Sequence, residues 1–527
     1  MTRTAEPADP ARTRPHPRRW AGLTVLSASL LIVVMDMTVL NVALPALSAD
    51  LRPDAVSLLW IVDVYSLVVA GLLVTAAALG DRWGRRRVLL AGFAVFGLAS
   101  LAVPAAATPG AVIALRAVLG VGGALIMPST LSMIRHLFTD PRERATALGI
   151  WATMAGLGSA LGPILGGVLL EHFSWRSAFL VNVPVMAAAL VLGRWLLPES
   201  RNRHPTASDG AAGAGSWDLP GTLLSIVGMV ALVYAIKHFG EDGPADHGAL
   251  AAAAIAAVAL GWFVTRCLRR PDPMLDVRLL RRPAFSAGVV AALSTSIALA
   301  AAMLLLAQWM QLVQGYSPLE TGVRLLPSAI ATAVLSPLAP ALAARIGART
   351  VLAAGLAITG LGFLVLPAAP HPLGYGAVVV ALTLVGAGLG ALAVASAVIM
   401  AGAPPERSGS AAAIEETSYE LGGTLGVAVL GSVAAAVYRA GLPPERLADA
   451  GLTGAAADAV RESLGGALEI VPSLGEAGAR LAERAQEAFT SSLEWAGAAG
   501  GALLLLGAAL AWLLTPRDLD LAGGHEH

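Results

Sequence analysis

Fourteen stretches of this chain, each about twenty residues or longer, run almost free of charge, at approximately 21–46, 57–79, 88–106, 111–134, 145–169, 177–197, 219–239, 249–267, 285–313, 323–344, 350–369, 374–400, 411–437 and 491–515. A helix needs roughly 20 apolar residues to cross a bilayer core. Inside that core only helices and closed barrels satisfy every backbone N–H and C=O. The stretches are twice too long for barrel strands, so the expected fold is an all-α membrane protein with 14 spans. Segment 323–344 is the least regular, because Pro327, Pro337 and Pro340 interrupt it. Charged residues make up 13% of the chain, against about 25% in soluble domains. The net charge of zero gives nucleic acid no purchase, and the single cysteine, Cys267, excludes a disulfide framework or thiolate cluster. There is no P-loop, histidine cluster or Ser-His-Asp grouping, so no cofactor, metal or enzymatic activity is expected. The first stretch contains Asp36 and Asn41 and is about twice the length of a signal-peptide core, which makes it a retained span.

Basic residues set the orientation. Placing the N-terminus in the cytoplasm puts most of them on the cytoplasmic side, notably Arg82, Arg85, Arg86 and Arg87 in one cluster and Arg266 to Arg282 in another. An even number of spans then returns the C-terminus to the cytoplasm. The expected organisation is a tail (1–20), a six-helix bundle (21–197), a cytoplasmic loop (198–218), two extra helices (219–267), a cytoplasmic linker (268–284), a second six-helix bundle (285–515) and a tail (516–527). The stretch 202–216, rich in Gly and Ala, reads as a flexible loop. The second bundle carries an extracellular loop, 439–490, whose acids and arginines alternate at helical spacing and read as a solvated helical hairpin.

The two bundles are repeats. Arg82, Gly84, Arg86, Val88, Leu89 and Gly92 recur as Arg345, Gly347, Arg349, Val351, Leu352 and Gly355, and Leu157-Gly158 with Leu161-Gly162 recur as Leu421-Gly422 with Leu425-Gly426. Repeated halves with a site between them are the architecture of secondary transporters.

Several motifs carry a family resemblance. Ala77-Ala-Leu-Gly-Asp81-Arg82-Trp-Gly-Arg85-Arg86 resembles the loop motif of the major facilitator superfamily, with Ala77 where glycine is usual. Arg116-Ala-Val-Leu-Gly120-Val-Gly122 is similar to its second motif, with Leu119 replacing glutamine, and Gly158-Ser-Ala-Leu-Gly162-Pro163-Ile-Leu-Gly166-Gly167 is similar to its antiporter motif. With Asp36-Met-Thr38-Val-Leu-Asn41 in span 1 and Trp175-Arg176…Asn182-Val-Pro184 at span 6, the whole chain resembles the fourteen-helix drug:proton antiporters. The resemblance implies that Asp81, Arg82 and Arg85 form a conformational latch, absent from the second repeat, where Ala344 stands in place of the acid. It also implies that the span 5 motif seals against proton leak, although close helix packing explains the same glycines. Arg116 acquires a part in proton coupling.

The buried acids are the sharpest chemical signal, because a carboxylate within the bilayer is costly and by default functional. Asp36 lies about 22 Å into span 1 at 1.5 Å per residue. Asp63 follows Trp60-Ile-Val in span 2, and span 13 carries Glu415, Glu416 and Glu420. Glu416 and Glu420 share a helical face, whereas Glu415 points elsewhere, near enough to the cytoplasmic interface to be solvated. Asp36 has a second reading as the structural partner of Arg116. Gln308, Trp309, Met310 and Gln311 either line a pocket or pack at an interface. Desolvated carboxyls can exchange protons near neutrality, and a proton and a cation would then compete for one site.

The resulting expectation is a monomeric, proton-coupled exporter of lipophilic, cationic drugs in the bacterial cytoplasmic membrane. Its partners would be the small-molecule substrate, protons and the lipid bilayer. No acid lies between Glu320 and Glu406, which favours monovalent cations. The alternatives are a dedicated exporter of one neutral or anionic antibiotic or metabolite and, more remotely, a membrane receptor that does not transport.

Overall fold

The computed structural model describes residues 17–53, 55–199, 218–241, 246–270, 273–404, 407–449, 451–517 and 519. The expected flexible loop at 202–216, most of both tails and parts of the linkers lie outside these residues. Among the described residues the regular structure is helical: α1 Arg19–Leu51, α2 Ala55–Trp83, α3 Arg85–Ala102, α4 Pro109–Leu137, α5 Pro141–His172, α6 Ser177–Leu180, α7 Asn182–Leu196, α8 Leu219–Glu241, α9 His247–Arg269, α10 Pro283–Gln308, α11 Pro318–Arg324, α12 Leu326–Leu335, α13 Ala339–Ile346, α14 Ala348–Ala368, α15 Tyr375–Leu389, α16 Leu392–Gly402, α17 Ser408–Gly441, α18 Pro444–Asp449, α19 Ala455–Glu462, α20 Leu464–Ile470 and α21 Gly475–Leu514. Twelve of the described helical segments are long and apolar enough to cross a membrane, and a pair bent by 52° at Leu335/Ala339 makes a thirteenth. The remaining expected span lies on α5, a 32-residue helix. The bent pair is the segment predicted to be irregular: its prolines break it into α11, α12 and α13.

The packing repeats as the sequence does. In the first half α1 packs on α5, α2 on α4, α3 on α4 and α7, and α1 on α7; in the second half α10 packs on α17, α12 on α15, α14 on α15 and α21, and α10 on α21. The paired glycines explain why the register is kept. A Cβ on Gly158 would come within 2.6 Å of Leu31 O, and one on Gly162 would collide with the Thr38 hydroxyl, so α5 can lie against α1 only without side chains there. Their counterparts Gly422 and Gly426 meet Leu293 O and Ile297 O of α10 in the same way. Gly84 and Gly347, another repeat pair, have φ of 107° and 89° and let one helix end and the next begin within a single residue.

The extra helices α8 and α9 pack on each other, and α8 lies against both α2 and α17, one from each half. At their arginine-rich ends Asp218 binds Arg266 at 2.8 Å and Arg270 at 3.0 Å. Burial alone would raise the Asp218 carboxyl, but Arg266, the Gly221 N–H and Arg270 outweigh it and hold it below the ordinary carboxylate range.

The segment 439–490 is helical, but it is not a solvated hairpin. Leu447, Leu452, Val460, Leu464, Ala467 and Val471 are buried together with Leu481, Ala485 and Phe489 of α21 and with Leu306, Trp309, Met310 and Leu442 below them. It therefore forms a cap with its own apolar core over the second half. Trp309 and Met310 belong to this core, and Trp309 Nε1 donates to the Thr490 hydroxyl at 3.1 Å. Interface packing is thus the outcome for these two, because a five-residue π-helical turn, Trp309–Val313, rotates them towards α21.

Candidate functional site

The first half holds its buried charges in one compensated group. Arg116 of α4 donates from Nη1 to Asp36 Oδ2 of α1 at 2.8 Å, and both side chains are at most 2% exposed. Asn182, the first residue of α7, donates to the other carboxylate oxygen at 2.8 Å, and to Ser100 Oγ of α3 at 3.2 Å. Arg116 Nε also reaches Ile61 O at 3.3 Å, and its guanidinium stacks 4.6 Å from the centroid of Tyr65 of α2. A buried pair with every oxygen of the acid engaged is strongly held, and losing either partner would strand the other charge. The pairing of Asp36 with Arg116 that the sequence suggests is present in the fold.

The second half holds its acids differently. Glu415 is fully buried, not solvated at the interface, and accepts a hydrogen bond from Ser396 Oγ of α16. Its burial arises because the first turns of α17 pack into the apolar core shared with α1–α5 rather than reaching the surface. Glu416 is 2% exposed, and its Oε1 has no hydrogen-bond partner, as is true of Glu415 Oε2. Tyr419 hydrogen-bonds to Glu415. Glu420 is partly buried and has an interaction of its own. At 1.5 Å per residue from Ser408, Glu415 and Glu416 lie about 11 Å, and Glu420 about 18 Å, from the arginine-rich end of α17. Asp36 lies about 26 Å from the same end of α1. The acids of α17 thus rise in steps along a helix that packs against both halves, and Asp36 lies deeper, within the first half. The side chain of Asp63 is outside the described residues, although its place on α2 is not.

Between these acids and the arginine-rich face the halves are closed. Arg85 binds Asp81 at 2.9 Å and donates to Ser408 Oγ of the other half at 2.5 Å. The Asp81 carboxylate lies against Gly409 in the first turn of α17, where the helix dipole favours an anion and where any larger residue would collide with it. Arg135 donates to Ala403 O at 2.7 Å and Ser336 to Gly149 O at 2.9 Å, both across the seam. Arg82 is exposed and has an interaction of its own, and Arg85 makes the bond to Ser408 across the seam. The second-repeat position, Ala344, carries no acid, and Arg349 there stacks instead 4.3 Å from Trp512.

In the span 5 motif, Gly158, Gly162 and Gly166 are buried, and the first two serve the contact with α1. A Cβ added to Gly167 would stand 3.8 Å from Leu319 of the other half, an ordinary contact distance, and the Pro163 side chain is outside the described residues. Sequence reasoning missed Ser396 and Ser408, which nothing in their local pattern marks. Asn182 stands within a motif that gives it no task, and Tyr65 follows Asp63 by two residues, a usable signal beside a membrane acid.

Comparison with known proteins agrees with this architecture. The sequence profile of the Major Facilitator Superfamily matches residues 26–427. The chain is 40% identical over 508 residues to the multidrug efflux pump LfrA of Mycolicibacterium smegmatis, covering 95% of this chain and 97% of that protein. It is 36% identical over 502 residues to the methyl viologen resistance protein SmvA of Salmonella typhimurium, covering 94% and 98%. Among solved structures the human organic anion transporter MFSD10 superposes with a TM-score of 0.58 at 16% identity, covering 94% of this chain and all of that one, a likeness of fold alone. With its repeated halves, its crossed seam and its relatives in hand, the chain belongs to the Major Facilitator Superfamily and is a membrane transporter.

Proposed function

We propose that this protein is a proton-coupled antiporter that exports lipophilic cations, with Glu416 as the residue where proton and cargo exclude each other. The observation that carries this reading is the buried, unpartnered oxygen of Glu416 at the seam. A carboxyl group so placed is stable as the neutral acid and costly as an anion, unless a cation joins it. Asp36 is compensated by Arg116, so it supports the site as a fixed element. Glu415, Glu416 and Glu420 form the titrating ladder on α17. The names of LfrA and SmvA support drug export as the task. Methyl viologen carries two fixed positive charges, so the chemistry of that relative also supports a cationic cargo. The positive-inside rule supports placing the closed, arginine-rich face in the cytoplasm.

Proteoliposomes with an imposed pH gradient test the assignment. Glu416→Gln is expected to abolish gradient-driven efflux of a fluorescent quaternary ammonium dye while leaving the protein folded. Gradient-driven efflux at the wild-type rate would overturn it, and would favour a neutral or anionic cargo if the dye were also not bound. Clamping the potential sets the stoichiometry: two protons per monovalent cation add about 2.3 kcal/mol per 100 mV, so potential-independent efflux of such a dye excludes that ratio.

A further inference from the structure

A cavity of about 520 Å³ lies between α2, α3 and α4 of the first half. Leu72, Thr75, Ala76 and Leu79 of α2 form one wall, Val88 and Ala91 of α3 the other, and α4 lies behind them. The size is that of a small-molecule site, about 300–1,000 Å³. Its mouth, at the arginine-rich end, is framed by Trp83, 59% exposed, and by Arg87, whose side chain is 64% exposed. Arg86 and Arg87 share one carboxylate, Glu199, at 3.7 and 3.5 Å, which leaves one net positive charge beside the mouth. Within the wall, the Thr75 hydroxyl is buried and has no hydrogen-bond partner.

We infer that this groove binds one anionic phospholipid of the surrounding membrane, with its phosphate on Arg87, its headgroup level marked by Trp83 and an acyl chain between α2 and α3. Several features select this occupant. The walls are apolar as a chain requires, and the groove is open at the side, on a bundle surface where Leu98 and Leu101 of α3 are exposed. The positive mouth repels a cationic drug and attracts a phosphate, as basic pockets between membrane helices on the cytoplasmic side do. An indole at the headgroup level is the ordinary anchor of a membrane interface. The groove ends at the α2–α3 joint that carries Asp81 and Arg85, so a bound lipid would brace that joint. The inference does not depend on the cargo.

Native mass spectrometry of the purified protein, titrated with phosphatidylglycerol or with phosphatidylcholine of the same chains, tests it. Wild type is expected to retain phosphatidylglycerol preferentially. Arg87→Gln should weaken that retention roughly fivefold, the worth of one arginine near a membrane surface, and weaken phosphatidylcholine less, because its choline offsets the phosphate charge. Ala91→Phe, at an exposed wall position that leaves the core intact, should remove the tightly held lipid. Equal retention of both lipids, or of phosphatidylglycerol by both variants and wild type, would overturn the proposal, as would displacement of the lipid by a cationic dye. Melting temperatures in phosphatidylcholine detect a folding defect in either variant.

Discussion

Asp36 and Arg116 illustrate how differently a buried acid behaves with and without a partner. Removing one member leaves the other charged in a dry interior, so Asp36→Asn or Arg116→Met is expected to cost about 3–5 kcal/mol. The double substitution should cost less than the sum, because no charge is stranded. Thermal or denaturant unfolding in detergent measures both, and strict additivity would refute the coupling. The glycine seam gives a second residue-scale expectation. Gly162→Ala drives a methyl group into the Thr38 hydroxyl, so it should destabilise by about 1–3 kcal/mol, and Thr38→Ala in the same chain should recover part of that loss. The acids themselves were legible in the sequence because apolar surroundings make them conspicuous. Their partnerships were not: Ser396 lies nineteen residues from Glu415 and on another helix, so only the folded packing joins them. Burial of Glu415 was equally hidden, since distance from a span's end says nothing about what packs against that end.

At the scale of elements, helix boundaries followed from hydropathy almost everywhere, and the proline-broken span came apart where Pro327, Pro337 and Pro340 stand. The cap was misread because its acids and arginines dominate the pattern, while the leucines that bury it are spread over four short elements. Two clips between elements lend themselves to measurement. Arg85→Ala removes the hydrogen bond to Ser408, worth about 1.5–3 kcal/mol for a charged donor. It should therefore increase, about tenfold, the labelling of a cysteine placed at Ser418 by an impermeant thiol reagent applied to the arginine-rich face; unchanged labelling would mean that Arg85 is not the latch. At the opposite face, Asp50 accepts from Trp175 Nε1 at 2.9 Å and from Arg176 at 2.6 Å. These two donors, Trp175 first, hold the Asp50 carboxyl below its ordinary value. A lowered carboxyl stabilises the fold above its unfolded value near 4 and loses that effect as pH falls through the folded one. Asp50→Asn should accordingly lower the melting temperature at neutral pH, with the difference from wild type vanishing in acid.

The whole molecule is two repeated bundles closed on one face and bridged along one seam by α8. The contacts that close it, Arg85 to Ser408 and Ser336 to Gly149, must break if the halves are to rock. With Cys267 the single native cysteine, a Cys267→Ser background needs one substitution. In it, an Asp81→Cys/Gly409→Cys pair, whose side chains would be adjacent, should form a disulfide that halts transport and should release it on reduction. Transport that continues while cross-linked would show that this face does not open. The cap has a practical meaning in such experiments. Its apolar core draws only on residues of the second half, and it rises on α21, a continuous 40-residue helix. It is thus a rigid handle bolted to one of the two moving bodies. A fluorophore on the cap and another at Thr108, on the neighbouring bundle, would report the angle between the halves during turnover without touching a single residue of the transport path.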